Sequence, residues 1–380
     1  MKRDLNLIAA GLAISTAGDA AALVALLLRL QPHGSGWVAG LLAAELIPYV
    51  VLAPLTGRVV DRFETRSVLL VALAGQAVLC LPLALVSALW ATVLLFAGIT
   101  ALSAFVRPAT SALVPAITGA DAAQKGYARL ATGTGLGWIA GPAAGGLLTG
   151  AFGATAAILA DAVTFTLLTA ACAAIRTRRH PAPHDPEGAT ARGGLRLILA
   201  DRVLRTALLG SAIAVSAGVV DNVAAPFRFV GQLGAGDSGY GLYLTLWGIG
   251  ALLAAQVVSR VPLGDAALIA LGNLLIGAGI AGIGLAPTLV LAFVASLVGG
   301  FGNGVTNVAQ NALISTRTPP DRHGRAFAAA GALIQTAIGV GTAAASPLVT
   351  ALEADGAMLT AGLITGVVAL IALILSRSTA

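Results

Sequence analysis

Charge is scarce in this chain. Only 10% of its 380 residues are charged while 58% are hydrophobic, which leaves too little polar surface for a water-soluble protein of this length. No soluble domain is expected. Histidine occurs four times, at His33, His180, His184 and His323, each in a segment that reads as a loop. His180 and His184 flank Pro-Ala-Pro, which denies them the helical spacing of a metal pair, so neither a metal nor any other cofactor is expected. The two cysteines, Cys80 and Cys172, fall inside apolar runs and read as small packing residues. Lysine is limited to Lys2 and Lys125, so no Gly-x-x-x-x-Gly-Lys-Ser/Thr phosphate loop exists and a nucleotide-driven pump is excluded. With no histidine inside an apolar run, a membrane-embedded enzyme lacks its base, and the chain is read as not an enzyme.

What the chain has instead is apolar length. A bilayer core about 30 Å thick takes about 20 apolar residues per helix, and such stretches run at 5–28, 36–57, 67–89, 92–114, 128–150, 154–175, 203–226, 239–259, 265–285, 288–313, 326–349 and 357–376. Lys2 and Arg3 ahead of the first stretch resemble an export signal, but the run is too long and Asp19 interrupts it, so it reads as the first span. With twelve spans, nineteen of the twenty-two Lys and Arg residues fall on one side, Arg29 and Arg228 fall opposite, and Arg107 lies within a span. Basic residues stay in the cytoplasm. The expectation is therefore a multi-pass protein of the plasma (inner) membrane with both termini cytoplasmic, and the net charge of +6 is a topology signal that implies no nucleic-acid partner.

A polar, proline-bearing segment at 176–202 divides the spans six and six. Ala109-Thr110-Ser111-Ala112-Leu113 returns as Ala309-Gln310-Asn311-Ala312-Leu313, and Thr118 and Asp121 return as Thr318 and Asp321, all at an offset of 200. These features predict an all-α membrane fold of two pseudo-symmetric six-helix bundles, 1–175 and 203–380, joined by a cytoplasmic linker at 176–202. Pro48, Pro54, Pro82, Pro108 and Pro142 fall within spans and should kink them. Glycine clusters at 141–146 and 299–304 suit close helix crossings, and Trp37, Trp90 and Tyr240 are expected as interfacial rings.

Four carboxylates remain inside spans: Asp19, Glu45, Asp161 and Asp221. Each costs roughly 2.5 to 3.5 kcal/mol at mid-membrane, so such residues face a cavity or a partner. A carboxylate in poorly hydrated surroundings has its charged form disfavoured, which brings proton binding and release into play. Three of the four are expected to meet in an outward vestibule, with Asp19 and either Glu45 or Asp221 alternating between protonated and ionised states; Asp161, near its helix end, is as readily read as merely solvated. Arg107, followed by Pro108, is a candidate contact for an anionic group or a snorkelling arginine. Asn303, Asn307, Gln310 and Asn311 along the tenth span are candidates for lining a polar path, with Asn222, Gln335 and Trp138 as lesser ones.

The turn Gly57-Arg58-Val59-Val60-Asp61-Arg62-Phe63-Glu64-Thr65-Arg66 resembles the Gly-x-x-x-Asp-Arg-x-Gly-Arg-Arg loop of the major facilitator superfamily through Gly57, Asp61, Arg62 and Arg66, with Glu64 and Thr65 as departures. Gly141-Pro142-Ala143-Ala144-Gly145-Gly146 is similar to the Gly-Pro-x-x-Gly-Gly motif of its drug/proton antiporters, and Gly18-Asp19, Phe105-Val106-Arg107-Pro108-Ala109 and Gly324-Arg325-Ala326 are similar to its enterobactin-exporter-like branch. The resemblance implies alternating access, with Gly57, Asp61, Arg62, Arg66, Gly141, Pro142, Gly145 and Gly146 as a conformational gate. It implies a monomeric secondary exporter of small amphipathic molecules, whether drug, antibiotic or siderophore, that exchanges them for protons. An importer of the same fold and a nontransporting receptor or scaffold are the alternatives.

Overall fold

The computed structural model describes residues 2–119, 122–179, 191–319 and 322–377. Asp121, Asp321, His180, His184 and most of the polar stretch of the linker lie outside them. Among the described residues every regular element is helical: α1 (Lys2–Leu30), α2 (Ser35–Arg62), α3 (Thr65–Leu85), α4 (Leu89–Thr118), α5 (Ala123–Phe152), α6 (Ala154–Ala173), α7 (Ala191–Ala200), α8 (Arg202–Gly218), α9 (Val220–Pro226), α10 (Gly236–Val257), α11 (Asp265–Leu285), α12 (Leu289–Arg317) and α13 (His323–Arg377). In hydrocarbon the backbone must satisfy its own polar groups, and a helix does so within one segment.

Among the described residues, ten helical stretches are long and apolar enough to cross a bilayer. Two further features bring this into line with twelve spans. α13 carries non-helical angles at Glu353 (φ 59°, ψ 178°), a left-handed conformation uncommon for a residue with a side chain, so it comprises two consecutive helices. α5 is 30 residues long, but glycine dilutes its hydropathy. The seventh span runs on past Pro226, where it was expected to stop, through a π-helical turn at Phe227–Gln232.

The chain divides into two compact units, one of Met1–Asp185 with Gly236–Thr245 and one of Pro186–Ala235 with Leu246–Ala380. In the first, α5 lies along α1 on a ladder of glycines. A Cβ placed at Gly133, Gly137, Gly141 or Gly145 would meet the carbonyl oxygen of Ala9, Ala13, Ala17 or Ala21 at 2.6–2.8 Å, so any side chain there forces the helices apart. Gly146 packs on Gly241, whose Cα lies 3.0 Å from the same test position. One expectation is corrected here: Tyr240, expected as an interfacial ring, is 1% exposed and packs at a tilt on Tyr243 with centroids 5.9 Å apart. Trp90 is exposed, as an interfacial ring should be.

The second unit repeats this construction with its own residues. Gly341 of α13 abuts the Ser216 carbonyl of α8, Gly302 of α12 abuts the Gly272 carbonyl of α11 at 2.5 Å, and Gly304 abuts Ala251 of α10. Ser216 and Gly341 thus stand where Ala17 and Gly141 stand in the first unit. α7 seats Ile198, fully buried, in the core beneath α8 and α13, and Asp201 caps α8 by accepting from the Leu204 backbone N–H at 2.9 Å.

Candidate functional site: an acidic cavity in the first unit

Three of the four intramembrane carboxylates line one cavity of about 80 Å³: Asp19 from α1, Glu45 from α2 and Asp161 from α6. Local packing aims each of them. Gly18 lets α6 approach α1 so closely that a Cβ there would strike Asp161 Oδ1 at 2.5 Å and the Thr164 hydroxyl, which sets Asp161 beside the residue preceding Asp19. On α2, Thr100 of α4 donates to the Ala44 carbonyl at 2.8 Å, and one turn beyond Glu45 the Tyr49 hydroxyl donates to Ser103 Oγ at 2.9 Å. Trp138 of α5 reaches the same cavity, and Leu26, Leu83, Phe96 and Ile158 supply apolar wall.

Asp161 is 3% exposed, which sets aside the alternative reading of it as merely solvated at a helix end. Its carboxylate accepts from Thr164 Oγ1 at 3.0 Å. Asp19 and Glu45 are half-buried. No Lys, Arg or His lines the cavity, and carboxylates that share a confined space without a counter-cation resist carrying charge together. At about 30 Å³ per liquid water, the cavity has room for water or protons but falls well short of a drug-sized pocket of about 300–1,000 Å³. A larger substrate requires it to widen.

The other candidates fall elsewhere. Asp221 is buried in α9 of the second unit and Asn222 beside it is exposed, so the expected meeting of three acids is met by Asp161 in place of Asp221. Arg107 is exposed on α4, one turn past Ser103, and does not line the cavity. On α12, Asn307 Nδ2 donates to Asn303 Oδ1 at 2.7 Å and Asn311 Nδ2 to the Asn307 carbonyl at 2.9 Å, an amide ladder on one helix face with Gln310 half-buried beside it; Gln335 is exposed on α13. Tyr49, Ser103 and Thr164 escaped sequence reasoning, although Tyr49 at four residues from Glu45 and Thr164 at three from Asp161 share a helical face with an acid.

The loop residues tie α2 and α3 to the end of α6. Asp61 pairs with Arg179 at 3.8 Å, Glu64 with Arg178 at 3.7 Å, and Arg66 donates to the Cys172 carbonyl at 3.1 Å and to that of Ala173. Arg62 is exposed, and no atom lies within 4 Å of where a Cβ at Gly57 would stand.

The internal repeat makes the cavity one-sided. Gly18 facing Thr164 corresponds to Gly218 facing Thr365, and Ala44 against Thr100 corresponds to Trp247 against Gly300. In that register the positions matching Asp19, Glu45 and Asp161 hold Val219, Gly248 and Gly362, all uncharged.

The family model described as Major Facilitator Superfamily matches residues 5–264 and again 222–380. The multidrug efflux pump Tap of Mycobacterium tuberculosis is 28% identical over 364 residues, covering 89% of this chain and 85% of that one. The MFS-type transporter YfiS of Bacillus subtilis, itself uncharacterized, is 24% identical over 98% of this chain and 93% of its own. The class B tetracycline resistance protein of Escherichia coli is 39% identical across 28% of this chain and 26% of its own. Among solved structures, the nucleoside transporter NupG superposes with a TM-score of 0.78 at 13% identity, covering 99% of this chain and all of that one, a likeness of fold.

Proposed function

From the premise that the chain belongs to the major facilitator superfamily and is a multi-pass membrane transporter of that fold, we propose that it exports small amphipathic molecules by alternating access in exchange for protons. The single observation that carries this reading is the three-carboxylate cavity without a cation. Such a group holds protons when empty and favours a cationic or neutral guest by Coulomb complementarity, so guest and proton compete for one place. That competition is the minimum an antiporter needs.

On this reading Asp19, Glu45 and Asp161 together form the proton-coupling group, with Asp221 a separate acid in the second half, and Trp138 offers the guest an aromatic face. Asn303, Asn307 and Gln310 line the second half's share of the path, with Arg107, Asn222 and Gln335 engaged as the cavity widens. Asp61, Arg62, Arg66 and Gly57 act with Gly141, Pro142, Gly145 and Gly146 in the gate. The halves 1–175 and 203–380 rock about the linker at 176–202, in a monomer of the plasma membrane with both termini in the cytoplasm. The name of one relative, the multidrug efflux pump Tap, supports the outward direction.

The test is accumulation of a panel of antibiotics and siderophores in cells expressing wild type or Asp19→Asn, with and without an uncoupler. Lower accumulation in wild-type cells, abolished by either treatment, is expected. Equal accumulation throughout overturns export, and higher accumulation in wild-type cells indicates import.

A further inference from the structure

The three acids are not equivalent, and the difference lies in Thr164. Its Oγ1 sits 3.0 Å from Asp161 Oδ1 and 2.8 Å from the Asp161 main-chain carbonyl. One hydroxyl proton faces two acceptors. A carboxylate takes a charge-assisted hydrogen bond that is stronger than one to a neutral acid, so the hydroxyl favours the side chain when Asp161 is ionised and the main chain when it is protonated. Neither Asp19 nor Glu45 has a hydroxyl so placed on its own helix: the residues three and four further on are Ala22, Leu23, Pro48 and Tyr49, and Tyr49 is turned to Ser103.

The groups around Asp161 give it no competing partner. α1 contributes Asp19, α2 contributes Glu45 and Tyr49, and α3 contributes Cys80, while Thr100 and Ser103 of α4 and Trp138 of α5 complete the polar lining, and the Thr100 hydroxyl is turned to main-chain carbonyls. Asp161 is the most enclosed of the three acids, at 3% exposed, whereas Asp19 and Glu45 are half-buried.

We infer that Asp161 is the residue that stores and releases the transported proton, that Thr164 is its positioning residue, and that Asp19 and Glu45 receive the guest's cationic group. This deepens the proton-antiport reading above and rests on it. When a cation docks between Asp19 and Glu45, the carboxylic O–H bond of Asp161 breaks and its proton passes to cavity water. The Asp161 carboxylate left behind accepts the Thr164 hydroxyl proton as a hydrogen bond. When the cation leaves, a proton from water re-forms the O–H bond and the Thr164 hydroxyl turns back to the main-chain carbonyl. Asp19 and Glu45 share one proton between them throughout and together carry one negative charge, so no other bond changes, and one proton is lost and regained at Asp161 for each cation that enters and leaves.

The experiment uses purified full-length protein in liposomes with ethidium as the probe. Wild type is expected to concentrate ethidium against its gradient when a proton gradient is imposed. Asp161→Asn is expected to lose that uphill movement while retaining ethidium-for-ethidium exchange at equilibrium, which also shows that the variant is folded. Thr164→Val, close in shape but without the donor, is expected to move the midpoint of the pH profile of exchange alkaline by about one unit, and Thr164→Ser to restore it. Wild-type coupling together with an Asp161→Asn protein that still concentrates ethidium, or an unmoved profile in Thr164→Val, overturns the assignment and leaves the antiport reading standing. A wild type that moves no ethidium under the gradient overturns both.

Discussion

Arg29 and Arg228 perform the same task in their respective units. Arg29 ends α1 and donates from Nη1 to the Leu83 carbonyl at 3.2 Å and from Nη2 to that of Val86, closing the last turn of α3. Arg228, in the π turn after α9, donates from Nε to the Ile283 carbonyl at 3.1 Å and from Nη2 to that of Ala286 at 2.6 Å, closing the last turn of α11. Leu83 and Ile283, like Val86 and Ala286, stand 200 residues apart. These two arginines are the pair that the sequence pattern sets apart from the nineteen basic residues expected together, and both cap unsatisfied helix-end carbonyls.

The two sites differ in burial, which yields a prediction. Arg228 is 8% exposed and also donates from Nη1 to Gln232 Oε1 at 3.1 Å, a side chain whose Nε2 donates to Asp355 Oδ1 at 3.1 Å. Arg29 is less enclosed and lacks such a chain. Hydrogen bonds from charged groups contribute about 1.5–3 kcal/mol each, so Arg228→Met is expected to lower the thermal midpoint in detergent by several degrees and Arg29→Met by less. Equal midpoints for the two variants would contradict the capping account.

A second prediction concerns the seam between α1 and α5. Gly137 and Gly135 are two residues apart on the same helix, yet a Cβ at Gly137 would meet the Ala13 carbonyl oxygen at 2.7 Å while one at Gly135 meets nothing within 4 Å. Overpacking of this kind costs about 1–3 kcal/mol. Gly137→Ala is expected to reduce both the folded yield and the melting midpoint, whereas Gly135→Ala, which only removes a flexible residue, should be neutral or slightly stabilising. A loss of the same size in both variants would show that helix propensity, and not the close crossing, sets the requirement.

How much of this was legible follows from what each feature depends on. The spans and the presence of acids within them are properties of single segments, so composition and length disclosed them. Which acids meet depends on how each helix is rotated about its axis, and that is set by crossings such as Gly18 on Thr164; counting depth along helices placed Asp19 and Glu45 together but could not choose Asp161 over Asp221. Tyr240 was misread because an aromatic ring at a helix end looks the same in sequence whether lipid headgroups or other protein groups, here Tyr243 among them, lie beside it. The break at Glu353 falls in the gap between the apolar stretches 326–349 and 357–376 and was legible, whereas the π turn at Phe227–Gln232 follows Pro226, which more often ends a helix than extends one.

A third prediction concerns acid stability and rests on groups outside the spans. Asp4 is buried, which by itself raises a carboxyl's pKa, but its Oδ2 accepts from the Thr177 hydroxyl at 2.9 Å and from the backbone N–H groups of Thr177 and Arg176 at 3.1 Å each, so its pKa is held below the usual value. Asp355 is held low as well, first by the Gln232 amide and also by nearby backbone N–H groups and Arg228. A carboxyl whose folded pKa is depressed contributes stability that is complete above its unfolded value and is lost as the pH falls through the folded one. The melting midpoint should therefore stay level with respect to these two groups from pH 7 to about 5 and fall below about 4. Asp4→Asn removes one acceptor for the segment that follows α6, so its midpoint should start lower at pH 7 and fall less steeply on acidification, converging on wild type. Parallel curves for the two proteins between pH 7 and 3 would mean that Asp4 does not hold the start of α1 to residues 176 and 177 by its charge.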